Sequence, residues 1–369
     1  MITRIFIDNY RCFTNFEFEP KRLNFLMGAN GSGKSSFFDL TEALARLVVR
    51  GADVSEVFPT SSLTRWDSRN TQRVELEADV QGNRYRYVLV VQHDREHERA
   101  VILSEEVTRA GKTLFAFDSG TVRLHNNSGT KGAEFHIRGD KSFIAQIEDR
   151  PVTKDLLVWR GFIEKIWTVR LNTRSMSGVS RDEEATLARS GSNFASWYRH
   201  LTQERADRLQ SIWSALEVVV PGFRSLKLVS AGGKGRVREL VAKMTACNAE
   251  YDIDFDELSD GQRTLIVLYT LLEGVSPGEG ALLLDEPEIH VGISEIQPWL
   301  VELDSRFESD GQLFLASQNP EVVDYMAASD PFLFERPDGG PARVRPAIFD
   351  HESGLSAASQ LARGLADGR

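Results

Sequence analysis

Gly28-Ala-Asn-Gly-Ser-Gly-Lys34-Ser35 places a glycine four residues ahead of Gly-Lys-Ser. That is the spacing of a loop whose backbone N–H groups turn inward around phosphate oxygens. The glycines permit the tight turn, and the helix that follows aims its positive end at the same point. Lys34 is expected to reach the β- and γ-phosphates and Ser35 to offer its hydroxyl to Mg²⁺, with Asn30, Gly31, Ser32, Gly33 and Ser36 completing the cradle. A second group, Gly280-Ala-Leu-Leu-Leu-Asp285-Glu286-Pro287, is an apolar strand that ends in two carboxylates. Asp285 suits the Mg²⁺ shell and Glu286 the polarising of an attacking water, the pairing of a Walker B site.

Elements of the right kind surround these residues. Residues 2–8 and 13–19 read as strands, and Leu23-Asn-Phe-Leu-Met27 is an apolar run entering the glycine-rich turn. From Lys34 to about Arg50, Phe37, Phe38, Leu40, Leu44, Leu47 and Val48 recur at helical spacing. Residues 73–136 alternate as antiparallel strands do. From about Asp155 to Pro221-Gly222 the pattern turns helical, and past the loop 231–235 strands and helices alternate again.

With 369 residues, 41% hydrophobic and 27% charged, the chain is long enough for one large or several smaller cores. Two cysteines, Cys12 and Cys247, make no disulfide framework and no metal-ligand spacing, so a reduced, cytoplasmic setting is expected, with no membrane span. Acidic residues outnumber basic ones, 54 to 44, for a formal charge of −10, which disfavours a protein coated in nucleic acid. A local basic groove stays open around Arg65, Arg69, Arg73, Arg84 and Arg86, or around Lys234, Arg236 and Arg238. His93-Asp-Arg-Glu96-His97 matches a zinc-protease pattern, but it follows an alternating run and reads as a hairpin tip rather than the required helix. Asn126-Asn-Ser128 matches a glycosylation acceptor, which means little in a reduced compartment.

Leu258-Ser259-Asp260-Gly261-Gln262 opens a further apolar helix and resembles the signature motif of ABC-type ATPases, Leu-Ser-Gly-Gly-Gln, with Asp260 in place of the first Gly. A serine hydroxyl and exposed N–H groups at a helix start form an anion site. With three motifs in this order the sequence resembles an ABC-type ATPase of the RecF/SMC-like group, and more closely the short AAA-domain class of bacterial defence operons, which is OLD-like without a nuclease. Asn9-Tyr-Arg11-Cys-Phe13 is similar to that group's opening and Asp285-Glu-Pro-Glu-Ile-His290 to its acidic run; Gly191-Ser-Asn-Phe194 and Pro221-Gly-Phe223 are fainter echoes.

The resemblance implies a homodimer with ATP and Mg²⁺ sandwiched head to tail. Ser259, Gly261 and Gln262 of one subunit would meet the γ-phosphate held by Lys34 of the other, with Arg11 also near the phosphates. Glu286, Lys34 and Gln318 would act in hydrolysis, and Ser35 and Asp285 would hold the metal. Three positions depart from the family pattern. Ala316-Ser-Gln318-Asn319-Pro320 stands where Thr-His-Ser-Pro is usual, which implies slow turnover, since Gln318 donates a hydrogen bond but cannot change charge. Val291-Gly292 replaces Leu-His-Pro, and no glutamine stands out as a Mg²⁺ sensor.

The expected fold class is α/β: an ABC-type P-loop ATPase head with an N-terminal antiparallel β-subdomain and an inserted helical lobe. Its expected parts are 1–140 with the P-loop and antiparallel sheet, 141–250 mainly helical, and 251–369 with signature, Walker B and switch. The expected function is a dimeric, ATP-hydrolysing switch of an anti-phage defence system, controlling a separate effector protein. The alternatives are a DNA-repair ATPase that grips duplex DNA and a nucleotide-gated scaffold with little turnover.

Overall fold

A computed structural model describes residues 1–125, 131–232, 236–275, 278, 280–350 and 352–366. The sequence features at 126–128 and at Lys234 lie outside them. The chain divides into two compact units: 1–168, 278–283 and 310–369 form the first, 169–277 and 284–309 the second.

In the first unit β1 (Ile2–Asp8) pairs antiparallel with β2 (Phe16–Phe18), Ile5 opposite Phe18 and Ile7 opposite Phe16, all four buried. The apolar run Leu23–Met27 is β3, followed after the glycine-rich turn by α1 (Lys34–Val48) and the short α2 (Val54–Val57). The alternating region becomes β4 (Thr71–Val80), β5 (Asn83–Asp94), β6 (Arg99–Arg109), β7 (Lys112–Asp118), β8 (Thr121–His125) and β9 (Lys131–His136). Together with the first two strands they form an eight-stranded antiparallel sheet in the order β2-β1-β4-β5-β6-β7-β8-β9. Against it packs α3 (Lys154–Glu164), whose buried Trp159 lies 5.9 Å from both Tyr85 and Tyr87, centroid to centroid. β10 (Ile166–Val169) comes next.

The second unit carries β11 (Val179–Ser180), α4 (Phe194–Glu204), α5 (Leu209–Val219), β12 (Phe223–Ser230), β13 (Arg238–Ala246), β14 (Ala249–Asp254) and α6 (Asp260–Gly274). Residues 141–250, expected to be mainly helical, thus also hold strands. β12 and β13 are a hairpin on either side of the glycine-rich loop, burying Leu226 on one strand and Leu240, Val241 and Ala242 on the other. An apolar run of this length suits a buried strand as well as a helix, and the turn chemistry decides for the strand.

β15 (Ala281–Asp285), α7 (Ile293–Ser309), β16 (Gln312–Ala316), α8 (Pro320–Met326), β17 (Phe332–Glu335), β18 (Arg343–Pro346) and α9 (Ala357–Ala362) complete the chain. The last two residues of β15 belong to the second unit. A six-stranded sheet runs β10-β15-β16-β3-β17-β18, with β3 parallel to both β16 and β17. Strands β15 and β16 read as largely apolar runs because both faces are covered: every residue of each is buried. Phe37 of α1 sits 5.7 Å from Phe18, 5.9 Å from Phe314 and 6.1 Å from Phe334, so one aromatic cluster joins the hairpin β1–β2, the helix and the second sheet. Buried Gln312 serves the backbone there: its Oε1 accepts from the Ile2 N–H at 2.8 Å, and its Nε2 donates to the Ile2 and Lys21 carbonyls.

Candidate functional site

In the first unit the loop after β3 is shaped by its glycines. Gly28 (φ 145°) would place a Cβ 2.2 Å from the Phe334 carbonyl oxygen, and Gly33 (φ 114°) would place one 3.1 Å from Cys12 Sγ and 3.3 Å from the Phe13 ring. At Gly31 (φ 76°) a Cβ would meet open space. Phe13 and Cys12, from the opening motif, are therefore the floor on which the loop turns. The Lys34 side chain curls back into the loop, donating to the Gly28 carbonyl at 2.6 Å and the Ala29 carbonyl at 3.2 Å, with Ser32 Oγ at 3.4 Å. An ammonium held by loop carbonyls can exchange those carbonyls for phosphate oxygens. The first turn of α1 has no acidic residue to offset its positive end. Ser35 and Ser36 are half-buried there, while Asn30 and Gly31 are exposed.

Arg11 (φ 51°) stands over the Tyr10 ring at 5.4 Å and pairs with Asp39 of α1. Its backbone is fixed by Asn9, whose buried amide donates to the Arg69 and Thr71 carbonyls and accepts from the Thr64 N–H. Gln318, past the end of β16, lines one cleft of about 630 Å³ with Gly28–Ser32. The structure thus brings Gln318 and the glycine-rich loop to the same cleft. Sequence reasoning missed Arg336 in that cleft; it donates to the Gly31 carbonyl at 3.3 Å and stands over the Trp66 ring at 5.4 Å.

In the second unit Asp285 is buried and Glu286 half-buried, the latter in the left-handed region with φ 51°. Arg170 faces both: Nη1 is 3.6 Å from Asp285 Oδ2 and Nη2 is 3.7 Å from Glu286 Oε2. Arg189 lies 4.0 Å from the same Asp285 oxygen. Neither arginine carried a sequence signal. Ser259 caps α6 in a reciprocal box: its Oγ accepts from the Gln262 N–H, and its own N–H donates to Gln262 Oε1 at 3.0 Å. The Gln262 side chain is thereby committed to the start of its own helix. Gly261 is required by close approach, since a Cβ would fall 2.8 Å from the His290 carbonyl oxygen. Asp260 is held below the usual carboxylate range by a hydrogen bond with Thr173 and by the Arg263 guanidinium.

Among the described residues no group of three or more His, Cys, Asp and Glu gathers as a metal site. The buried carboxylate of Asp285 and the hydroxyl of Ser35 are nonetheless hard oxygen donors of the kind Mg²⁺ takes one or two at a time alongside phosphates and water. The segment 93–97 lies at the hairpin between β5 and β6 and not on a helix; His93 Nε2 lies 2.9 Å from Gln72 Oε1, and burial, aided by Arg95, pushes its pKa down to about 4.

A family model described as "AAA domain, putative AbiEii toxin, Type IV TA system" matches residues 23–324. The chain belongs to this family. The match runs from β3 into α8 and so spans Gly28–Ser35, Leu258–Gln262, Asp285–Glu286 and Gln318. No curated protein matches the sequence. The fold of this AAA-domain protein is that of an ABC-type head. It resembles the SMC head bound to the C-terminal winged-helix domain of ScpA with a TM-score of 0.59 at 13% identity, covering 96% of this chain and 99% of that one. It also resembles the SMC head with an extended coiled coil bound to the C-terminal domain of ScpA derived from Pyrococcus furiosus, at 0.55 and 12%, covering 94% and 96%. At these identities the likeness concerns the fold. No helix among the described residues is long and apolar enough to cross a membrane.

Proposed function

We propose that this AAA-domain protein binds ATP with Mg²⁺ and hydrolyses it to ADP and phosphate between two copies arranged head to tail, as the nucleotide-driven switch of a bacterial defence system. The observation that carries the reading is Lys34, curled into a glycine-shaped loop at the start of a helix with no acidic first turn. Lys34 and the N–H groups of 30–36 would hold the phosphates, and Ser35 and Asp285 would hold the metal, which would supply charge neutralisation. Glu286 orients and deprotonates the attacking water. Gln318 donates its amide to the γ-phosphate, which it can do without changing charge, so turnover is slow. Ser259 and Gly261 of the second copy close the pocket through the N-terminus of α6. Arg11, beside α1, approaches the phosphates once it exchanges Asp39 for them.

The family's description names a putative toxin of a type IV toxin–antitoxin system, which supports a defence role; control of a separate effector protein is part of the same proposal. Duplex DNA is not favoured as a partner by the arginines of β4 and β5. Arg84 is bound to Glu77 at 2.5 Å and Arg86 to Glu75 at 2.9 Å, so these arginines are already paired within the sheet. Cytoplasmic location belongs to the same reading.

The test is Lys34→Ala. A charge-assisted contact is worth about 1.5–3 kcal/mol, so calorimetric ATP affinity is expected to fall at least ~10-fold in the folded variant. Unchanged affinity would remove the phosphate-loop assignment.

A further inference from the structure

Arg170 follows β10, and Asp285 ends β15, the neighbouring strand of the six-stranded sheet. One guanidinium therefore faces both carboxylates of the acidic pair, at 3.6 and 3.7 Å. Arg189 stands 4.0 Å from Asp285, and its carbonyl accepts the Arg170 N–H at 2.8 Å, which ties the two arginines together. The Asp285 side chain is 1% exposed and that of Arg170 is 46% exposed. A carboxylate at that depth needs a counter-charge, and these arginines provide one through separations longer than a direct hydrogen bond. A guanidinium has donors only and cannot join a metal's ligand set. It and a divalent cation therefore seek the same carboxylate and repel each other.

We propose that Arg170, backed by Arg189, is an electrostatic clamp on Asp285 and Glu286 that must let go before a divalent cation can be held there. Its near-half exposure makes release into water cheap in desolvation. Arg189, a quarter exposed, stays behind as the anchor. Until release the clamp also engages Glu286, so the same release that opens Asp285 to the cation frees the general base. The inference rests on the nucleotide reading above and assigns that site an internal competitor.

Manganese binding to the full chain with a non-hydrolysable ATP analogue, followed by electron paramagnetic resonance, tests it without reference to turnover. In Arg170→Gln the half-saturating Mn²⁺ concentration is expected to fall roughly two- to five-fold, the scale of a partly exposed ion pair. Arg170→Lys, which restores the charge, is to return it toward wild type. A value unchanged or raised in Arg170→Gln overturns the clamp. Arg189→Gln, which leaves Arg170 in place, is expected to shift it the same way by a smaller factor, and it carries the test if Arg170→Gln does not fold; no shift in Arg189→Gln then overturns the clamp. Failure of the wild-type protein to bind Mn²⁺ with nucleotide removes the nucleotide reading and the clamp together. Normal wild-type binding with an unshifted Arg170→Gln removes the clamp alone.

Discussion

The glycines of the phosphate loop look interchangeable as a pattern, yet their surroundings rank them. Gly28 combines a left-handed φ with a Cβ position only 2.2 Å from a backbone oxygen of β17, whereas Gly31 has the φ but open space around it. Gly28→Ala adds a clash to the backbone strain and is expected to cost about 2–4 kcal/mol in chemical denaturation, together with ATP binding. Gly31→Ala carries the strain alone, at about 1 kcal/mol. Equal losses in the two variants would mean that the loop rebuilds itself and that contact with β17 does not set its shape. The residues assigned the chemistry could be named from sequence because their spacing is covalent: eight consecutive positions make the glycine-rich loop, and two adjacent ones make the acidic pair. Arg170 and Arg189 beside the acidic pair, and Arg336 beside the glycine-rich loop, could not be named that way, because folding alone brings each of them there. Gln262 was legible as part of a motif but not as half of a capping box, since Ser-x-x-Gln fits both.

The antiparallel sheet shows what an alternating pattern reveals and what it hides. Tyr85, Tyr87, Leu89 and Val91 mark the buried face of β5, and the register with β4 and β6 follows from it. On β6 the same face receives Glu105, 1% exposed, a residue any pattern would place in water. Tyr87 and Ser142 donate to its Oε1 at 2.8 and 2.7 Å. Burial nevertheless outweighs these two bonds and lifts its pKa from 4.5 to about 7. The native state thus holds this proton more tightly than the unfolded chain does. The resulting stabilisation is complete below about pH 4.5 and is lost as pH rises through about 7. Glu105→Gln keeps the shape and both accepted bonds without the charge. At pH 8 it is expected to gain up to about 3 kcal/mol over wild type and at pH 4.5 nothing, read from denaturation at the two pH values. A gain of equal size at both would show that the carboxyl is not titrating across that range. The hairpin β12–β13 escaped a helical reading of its neighbourhood for a related reason: short apolar runs do not declare their period, and only the turn between them does.

At the scale of the whole molecule the decisive matter is whether one pocket draws on two chains. The phosphate loop with Lys34 belongs to the first compact unit and the capped start of α6 with Ser259 to the second, and the head-to-tail reading assigns these two halves to different copies. Lys34→Ala has no working loop in either copy of its dimer, and Ser259→Arg, with a long side chain at the N-terminus of α6, has no working cap. Each variant alone is therefore expected to be inactive. Mixed in equal amounts and allowed to exchange subunits, half of the dimers become hybrids, and one of the two pockets in each hybrid pairs an intact loop with an intact cap. ATPase activity should then return to roughly a quarter of the wild-type level, from a twofold dimer whose two pockets act independently. If Lys34 and Ser259 of a single chain served the same pocket, every pocket in the mixture would carry a defect and mixing would restore nothing. Gel filtration of Glu286→Gln with ATP supplies the companion measurement: a variant that holds nucleotide but does not cleave it should accumulate the closed dimer, because the differential contacts to the γ-phosphate persist. A monomer at saturating ATP would leave the restored activity without an assembly to explain it.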